Sequence, residues 1–128
     1  MVENTSFLRK KSLNCYKYEE KNMTKKYYLL IYTVVADYLE KRADHRSSHL
    51  NLVTDYMNKG SLLLGGAVDN PADKAYFCFH CQDANEVEEF VKKDPYFQNN
   101  IIASYEIRNW NVVTGTACKK PLLPSQLS

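Results

Sequence analysis

Proton chemistry needs groups that titrate near neutrality and partners that orient them, and this 128-residue chain offers such groups in one short segment. Asp44-His45-Arg46-Ser47-Ser48-His49-Leu50 opens a helical pattern and sets Arg46 and His49 three residues apart. At that spacing both side chains project from nearly one side of a helix. An imidazole titrates at roughly 6.5 when unperturbed, so it donates or accepts a proton at physiological pH. Taken alone, His49 reads as a ring filling a helix–sheet edge, and Arg46 as an apolar stem with its head group in water. His45 reads as an exposed residue at a helix start, or as an extension of the Arg/His cluster.

A partner is available later in the chain. Asp94 precedes Pro95 at the end of a second helical pattern, and by itself it is a helix-terminating Asp-Pro turn. An acid at a helix C-terminus opposes the helix dipole, so the placement makes more sense beside a cation or a protonated imidazole. An aspartate that orients a histidine is a recurrent acid–base pair.

Other spacings carry less chemistry. Cys78-x-x-Cys81 has a metal or redox spacing, but it falls in a strand pattern. Strand side chains alternate between faces, which sends Cys78 and Cys81 to opposite sides as two small buried hydrophobes. Cys78 and His80 share a face, yet two ligands do not make a metal site. Cys15 and Cys118 lie in tails. The expectation is no metal and no cofactor.

The elements that must hold these residues follow from periodicity. Tyr27–Val35 is continuously apolar and rich in β-branched and aromatic residues, a central strand covered on both faces. Ala36–Ala43 is a loop or a first helical turn. The first main helix runs from about Asp44, as N-cap, to Asn58, with Gly60 free to take the left-handed closing position. Arg46, Leu50, Val53 and Met57 share its core-facing stripe, and His49 lies at the edge of that stripe. Ser61–Val68 is a second strand, in which Gly65-Gly66 suggests a bulge or a close approach by another group. After a turn at Asp69–Asp73 comes a third strand, Ala75–Cys81. Asp83 caps a second helix with Glu86 three residues on; Asp94-Pro95 ends it. Ile101–Arg108, extended to Val113, is the fourth strand.

The order β-α-β-β-α-β is an α+β, ferredoxin-like plan. With both helices on one face of the sheet, the other face would expose a large apolar patch. A homodimer through the sheet faces is therefore expected. The expected divisions are a flexible N-terminal extension over 1–24, one domain over 25–113 and a C-terminal arm over 114–128.

Composition excludes several classes. The net charge of +2 conceals an asymmetry: residues 1–26 hold seven Lys/Arg against three acids, and residues 27–128 hold ten against twelve. The folded part lacks the clustered basic face of a nucleic-acid binder. No apolar run approaches the roughly 20 residues of a membrane helix. Four cysteines and no apolar secretory signal point to a reducing compartment, the cytoplasm. Met23 stands where a start for the bare domain would sit. An organellar presequence in residues 1–22 suits Arg9, Lys10 and Lys11 but not Glu3, Glu19 and Glu20.

Arg46-Ser47-Ser48-His49-Leu50, the glycine pair before Ala67, Asp94-Pro95-Tyr96-Phe97 and Tyr105-Glu106-Ile107-Arg108-Asn109-Trp110 stand in an order and spacing that resembles the YCII-related (YciI-like) domain family. The resemblance covers about Lys25 to Val113. It implies a ferredoxin-like fold of the dimeric α/β-barrel type and a catalytic pair made of His49 and Asp94, with Arg46 at the basic position one turn before the histidine. One branch of the family is similar to dehydrochlorinases of chlorinated hydroxyquinols. The implied function is a small cofactor-independent enzyme, a lyase, isomerase or dehydrochlorinase. It would act on a small, cyclic or anionic metabolite that Arg46 holds while Gly65 and Gly66 let it approach the backbone. The other reading is a non-catalytic small-ligand-binding module or a dimeric scaffold.

Overall fold

The structure, a computed structural model, describes residues 24–118. Most of the expected extension 1–24, and residues 119–128 of the expected arm, lie outside the described residues. Strand β1 spans Lys26–Val34, and a short helix α1, Tyr38–Lys41, leads through a 3₁₀ turn at Arg42–His45 into α2, Arg46–Asn58. Strands β2, Leu62–Ala67, and β3, Lys74–Cys81, follow as a pair. Helix α3, Ala84–Lys93, runs directly into a short helix α4, Pro95–Gln98, and β4, Ile102–Trp110, closes the sheet.

The four strands are ordered β2-β3-β1-β4 with every neighbouring pair antiparallel. This α+β arrangement interleaves two strand–helix–strand units, so both crossover connections lie on one side of the sheet. Tyr28, Leu30, Tyr32 and Val34 of β1 are buried beneath the helices, together with Ala75, Phe77, Phe79 and Cys81 of β3. Phe90 of α3 stands at the middle of an aromatic cluster, with ring centroids 5.2 Å from Tyr56, 5.2 Å from Phe79 and 5.6 Å from Phe77. Edge-on and tilted packing of this kind favours the ring quadrupoles as well as burying area.

Cover on both faces of β1, expected from its continuous hydrophobicity, is met on one face. Tyr27, Leu29 and Ile31 alternate with the buried set and are only half-covered, because both helices lie on the other side. By strand register they share their face with Tyr76, Cys78 and His80 of β3 and with Trp110 of β4. Leu64 of β2 is 73% exposed and Trp110 is 45% exposed.

Two local expectations are corrected. Asp44 does not cap the first main helix: it lies inside the 3₁₀ turn, His45 takes the cap position, and no side chain caps there. The continuous winding from α1 into α2 leaves no extended residue whose side chain can turn back on the helix. The core-facing stripe of α2 is rotated as well: His49 and Tyr56 are the buried residues, while Leu50 and Met57 are 43% and 57% exposed. Tyr56, seven residues after His49, brings the larger apolar surface to the core and sets the helix phase. Of the two alternatives at the glycine pair, the bulge is not found there: the register shift in β2 falls between Leu62 and Leu64.

Gly60 does take the left-handed position, at φ 79°, after α2, and Asp83 caps α3 by accepting from the Asn85 N–H at 2.9 Å. Among the described residues no helix is long and apolar enough to cross a membrane.

Candidate functional site

Asp94 is placed by the local sequence rule that also ends α3. The proline ring at 95 disfavours helical backbone at the preceding residue, and Asp94 is extended at φ −70°, ψ 119°. Pro95 then opens α4, where its missing N–H is no loss. The Asp94 carboxylate turns onto this new helix, and its Oδ1 accepts from the backbone N–H of Tyr96 at 3.0 Å. Asp94 thus ends one helix and caps the next. The unfavourable dipole at the end of α3 is offset by a favourable one at the start of α4.

The same carboxylate is the hub of a buried cluster. Nδ1 of His49, one turn into α2, donates to Asp94 Oδ1 across 2.8 Å. The hydroxyl of Tyr32, near the C-terminal end of β1, donates to Oδ2 across 2.8 Å. Asp94 is fully buried and holds three donors from three elements, as a buried carboxylate requires. Burial first, and then the adjacent Asp94 charge, push the Tyr32 phenol far above its ordinary range, so it remains a proton donor. The His49 ring stacks on Tyr96 at 3.9 Å between centroids and 5° between planes. Phe77 meets the same ring edge-on at 6.3 Å. The ring is held on both nitrogen-bearing and flat sides, with only a small fraction of it exposed.

That exposed part opens on a cavity of about 370 Å³ between α2, the 3₁₀ turn and β2. Arg42, Arg46, Tyr38, Tyr96 and His49 provide its polar lining; Leu50, Val53 and Met57 of α2 and the length of β2 provide the apolar wall. The residues expected from sequence, Arg46, His49, Gly65 and Gly66, all line it, and Asp94 lies behind His49. The two glycines differ. A β-carbon on Gly65 would fall 2.5 Å from Cδ1 of Phe77, its cross-strand neighbour, whereas one on Gly66 would meet nothing within 4 Å. The close approach that Gly65 permits is made by the chain's own phenylalanine.

Cys81 is buried on the helix side and Cys78 is half-buried on the other. Burial pushes the Cys81 thiol up to about 12, which keeps it unreactive. Among the described residues no group of three or more His, Cys, Asp or Glu could hold a metal ion.

Three participants escape a reading of the sequence. Tyr32 sits in an apolar strand with nothing to mark it from its core neighbours. Tyr96 follows Asp94-Pro95 directly, and the stacking surface it gives His49 has no local signature. Arg42 lies four residues before Arg46, which is the one usable signal: that spacing puts both guanidinium groups on one face of a continuous helical segment.

Comparison with known proteins bears on the fold and the family. Among curated proteins, none matches the chain. Among solved structures, the chain is similar to 5-chloro-2-hydroxyhydroquinone dehydrochlorinase (TftG) from Burkholderia phenoliruptrix AC1100, solved in complex with 2,5-dihydroxybenzoquinone. The TM-score is 0.58 at 19% identity, over 66% of this chain and 93% of that one. At this identity the likeness is one of fold. The sequence profile of the YCII-related domain matches residues 25–111, and with most of its length in that match the chain belongs to the YCII-related domain family.

Proposed function

We propose that this chain is a small acid–base enzyme in which His49 exchanges a proton with a molecule bound in the cavity and Asp94 orients the imidazole. The observation that carries the reading is the 2.8 Å contact between His49 Nδ1 and Asp94 Oδ1 at the wall of a cavity. With Asp94 ionised, Nδ1 carries the proton and Nε2 is left with its lone pair, the state a general base requires. Arg46 balances negative charge that develops on a substrate oxygen, and Gly65 and Gly66 bring backbone to the cavity wall. Proton abstraction next to a carbonyl or a leaving group needs only these groups, so the reaction class is a lyase, isomerase or dehydrochlorinase that works without a metal or organic cofactor. The fold shared with a dehydrochlorinase supports that class.

In this reading the catalytic unit is the domain over residues 25–113, acting in the cytoplasm as a homodimer of the dimeric α/β-barrel type. Leu64, Tyr76 and Trp110, exposed on the sheet side opposite the helices, support the dimer, since they would be covered by the sheet of a second copy.

Chloride release from 5-chloro-2-hydroxyhydroquinone is the first assay. His49→Ala and Asp94→Asn should each abolish turnover while far-UV circular dichroism stays native. Turnover that survives either substitution removes the acid–base assignment. Ligand binding without turnover in the unsubstituted protein supports a small-molecule binding module instead.

A further inference from the structure

The cavity differs from its surroundings in charge. Arg42 and Arg46 both line it, with His49 beside them, and no Asp or Glu does. Asp94, the nearest acid, is buried behind His49 with its oxygens engaged by three donors. Among the described residues the ion pairs are Lys41–Asp37, His49–Asp94 and Lys93–Glu89, so neither arginine is neutralised by a carboxylate there. Arg42 is nevertheless held in place: its guanidinium lies 5.1 Å from the centre of the Tyr38 ring, and Nη1 approaches the Tyr38 hydroxyl at 3.5 Å.

A second feature points the same way. Tyr96 is 2% exposed and lines the cavity, and its hydroxyl has no hydrogen-bond partner. Burial pushes this phenol up; Arg42 and Arg46 pull against that, and Arg46 comes near the hydroxyl without completing a hydrogen bond of good geometry. A buried donor left unpaired in a folded protein calls for an explanation, and a bound acceptor supplies one. Further along α2 from Arg46, Leu50, Val53 and Met57 continue the lining. A cavity of about 370 Å³ with one polar end and one apolar wall suits a single ring or a short aliphatic body.

We infer that the cavity selects a small organic anion whose charge is shared by two oxygens, a carboxylate or the vinylogous equivalent in a hydroxy-enone. Arg42 and Arg46 hold the two oxygens, the Tyr96 hydroxyl donates a further hydrogen bond, and the apolar body lies against α2. This rests on the reading of the cavity as the working site and adds its substrate class. A guanidinium presents paired donors that match such an oxygen pair. The i, i+4 placement of Arg42 and Arg46 aims two of them at one end of the cavity, the end at which His49 stacks on Tyr96.

Isothermal titration of the full chain at pH 7 tests this with four probes: benzoate, the enolate of cyclohexane-1,3-dione, neutral benzamide and inorganic phosphate. Benzoate and the enolate should bind, with benzamide and phosphate each at least about tenfold weaker, the scale of a lost charge-assisted hydrogen bond. Arg42→Gln and Arg46→Gln should each weaken benzoate by about tenfold, and the pair together should abolish binding. Tyr96→Phe should weaken it several-fold. His49→Gln, which removes turnover, should bind benzoate within about threefold of the unsubstituted protein, so the anion site and the acid–base role fail separately. Benzamide equal to benzoate, phosphate preferred to both anions, no binding of either anion, or benzoate affinity indifferent to both arginines overturns the inference.

Discussion

The hydroxyl of Tyr32, on the central strand, donates to Oδ2 of Asp94, 62 residues later, at 2.8 Å inside the core. This bond ties the sheet to the junction of two helices and fixes the carboxylate from the side opposite His49. Tyr32→Phe keeps the ring and deletes the donor, leaving a buried carboxylate oxygen unpaired. The expected loss is about 1–3 kcal/mol in urea denaturation. If the bond orients Asp94 for His49, kcat should fall more than KM rises. A variant as stable and active as the parent would show the bond to be dispensable.

Asp94 accepts from Tyr96 N–H as a cap and from His49 Nδ1, and substitution separates the cap from the proposed orienting role. Asp94→Asn retains an oxygen for the cap, whereas Asp94→Ala removes every acceptor. The alanine variant should be less stable than the asparagine variant by about 0.5–2 kcal/mol from the cap alone, with further loss from the stranded Tyr32 and His49 donors. Thermal unfolding of the two side by side measures the difference. Both should be inactive in the proposed reaction.

Gly65 and Gly66 should respond differently to the same substitution. Gly65→Ala drives a methyl group into Phe77, an overpacking that costs about 1–3 kcal/mol. Gly66→Ala meets open space and should fall within about 0.5 kcal/mol of the parent. Phe77→Leu combined with Gly65→Ala should be less than additive, because the leucine vacates the space that the methyl group needs. Chemical denaturation of the parent, the three single variants and the double variant resolves this.

Alkali should destabilise the fold. Burial raises the Cys81 thiol to about 12 and raises the phenols of Tyr28, Tyr32, Tyr56 and Tyr96 above 10.0. The unfolded chain therefore releases protons that the folded chain still holds, and stability falls as pH rises. The loss begins near 9.0, the ordinary thiol value, and continues through 10.0 as tyrosines ionise in the unfolded chain. The urea midpoint should drop between pH 8 and pH 10.5. A midpoint that holds constant would mean that the buried phenols and thiol ionise without unfolding.

The strand and helix order was legible because each element carries its own period, and because Gly60, Asp83 and Pro95 punctuate them by local backbone rules. What was not legible is what tertiary packing decides. The phase of α2 depends on Tyr56 reaching Phe79 and Phe90, aromatic partners 23 and 34 residues away. The link from His49 to Asp94 spans 45 residues; residue chemistry made it plausible, and the family resemblance selected it. Tyr32 lies in a strand whose apolar neighbours hide a hydroxyl with a polar task. The glycine pair carried a true signal of close approach, but spacing does not say which group approaches.

The junction at Asp94 has a consequence for lineages as well as for single molecules. An acid there stops α3, caps α4 and satisfies a buried tyrosine, so selection for folding preserves it whatever becomes of the reaction. A descendant that abandoned catalysis would keep its aspartate and lose its histidine first. In the proposed acid–base reading, retention of His49, and not of Asp94, would mark the members of such a lineage that still catalyse.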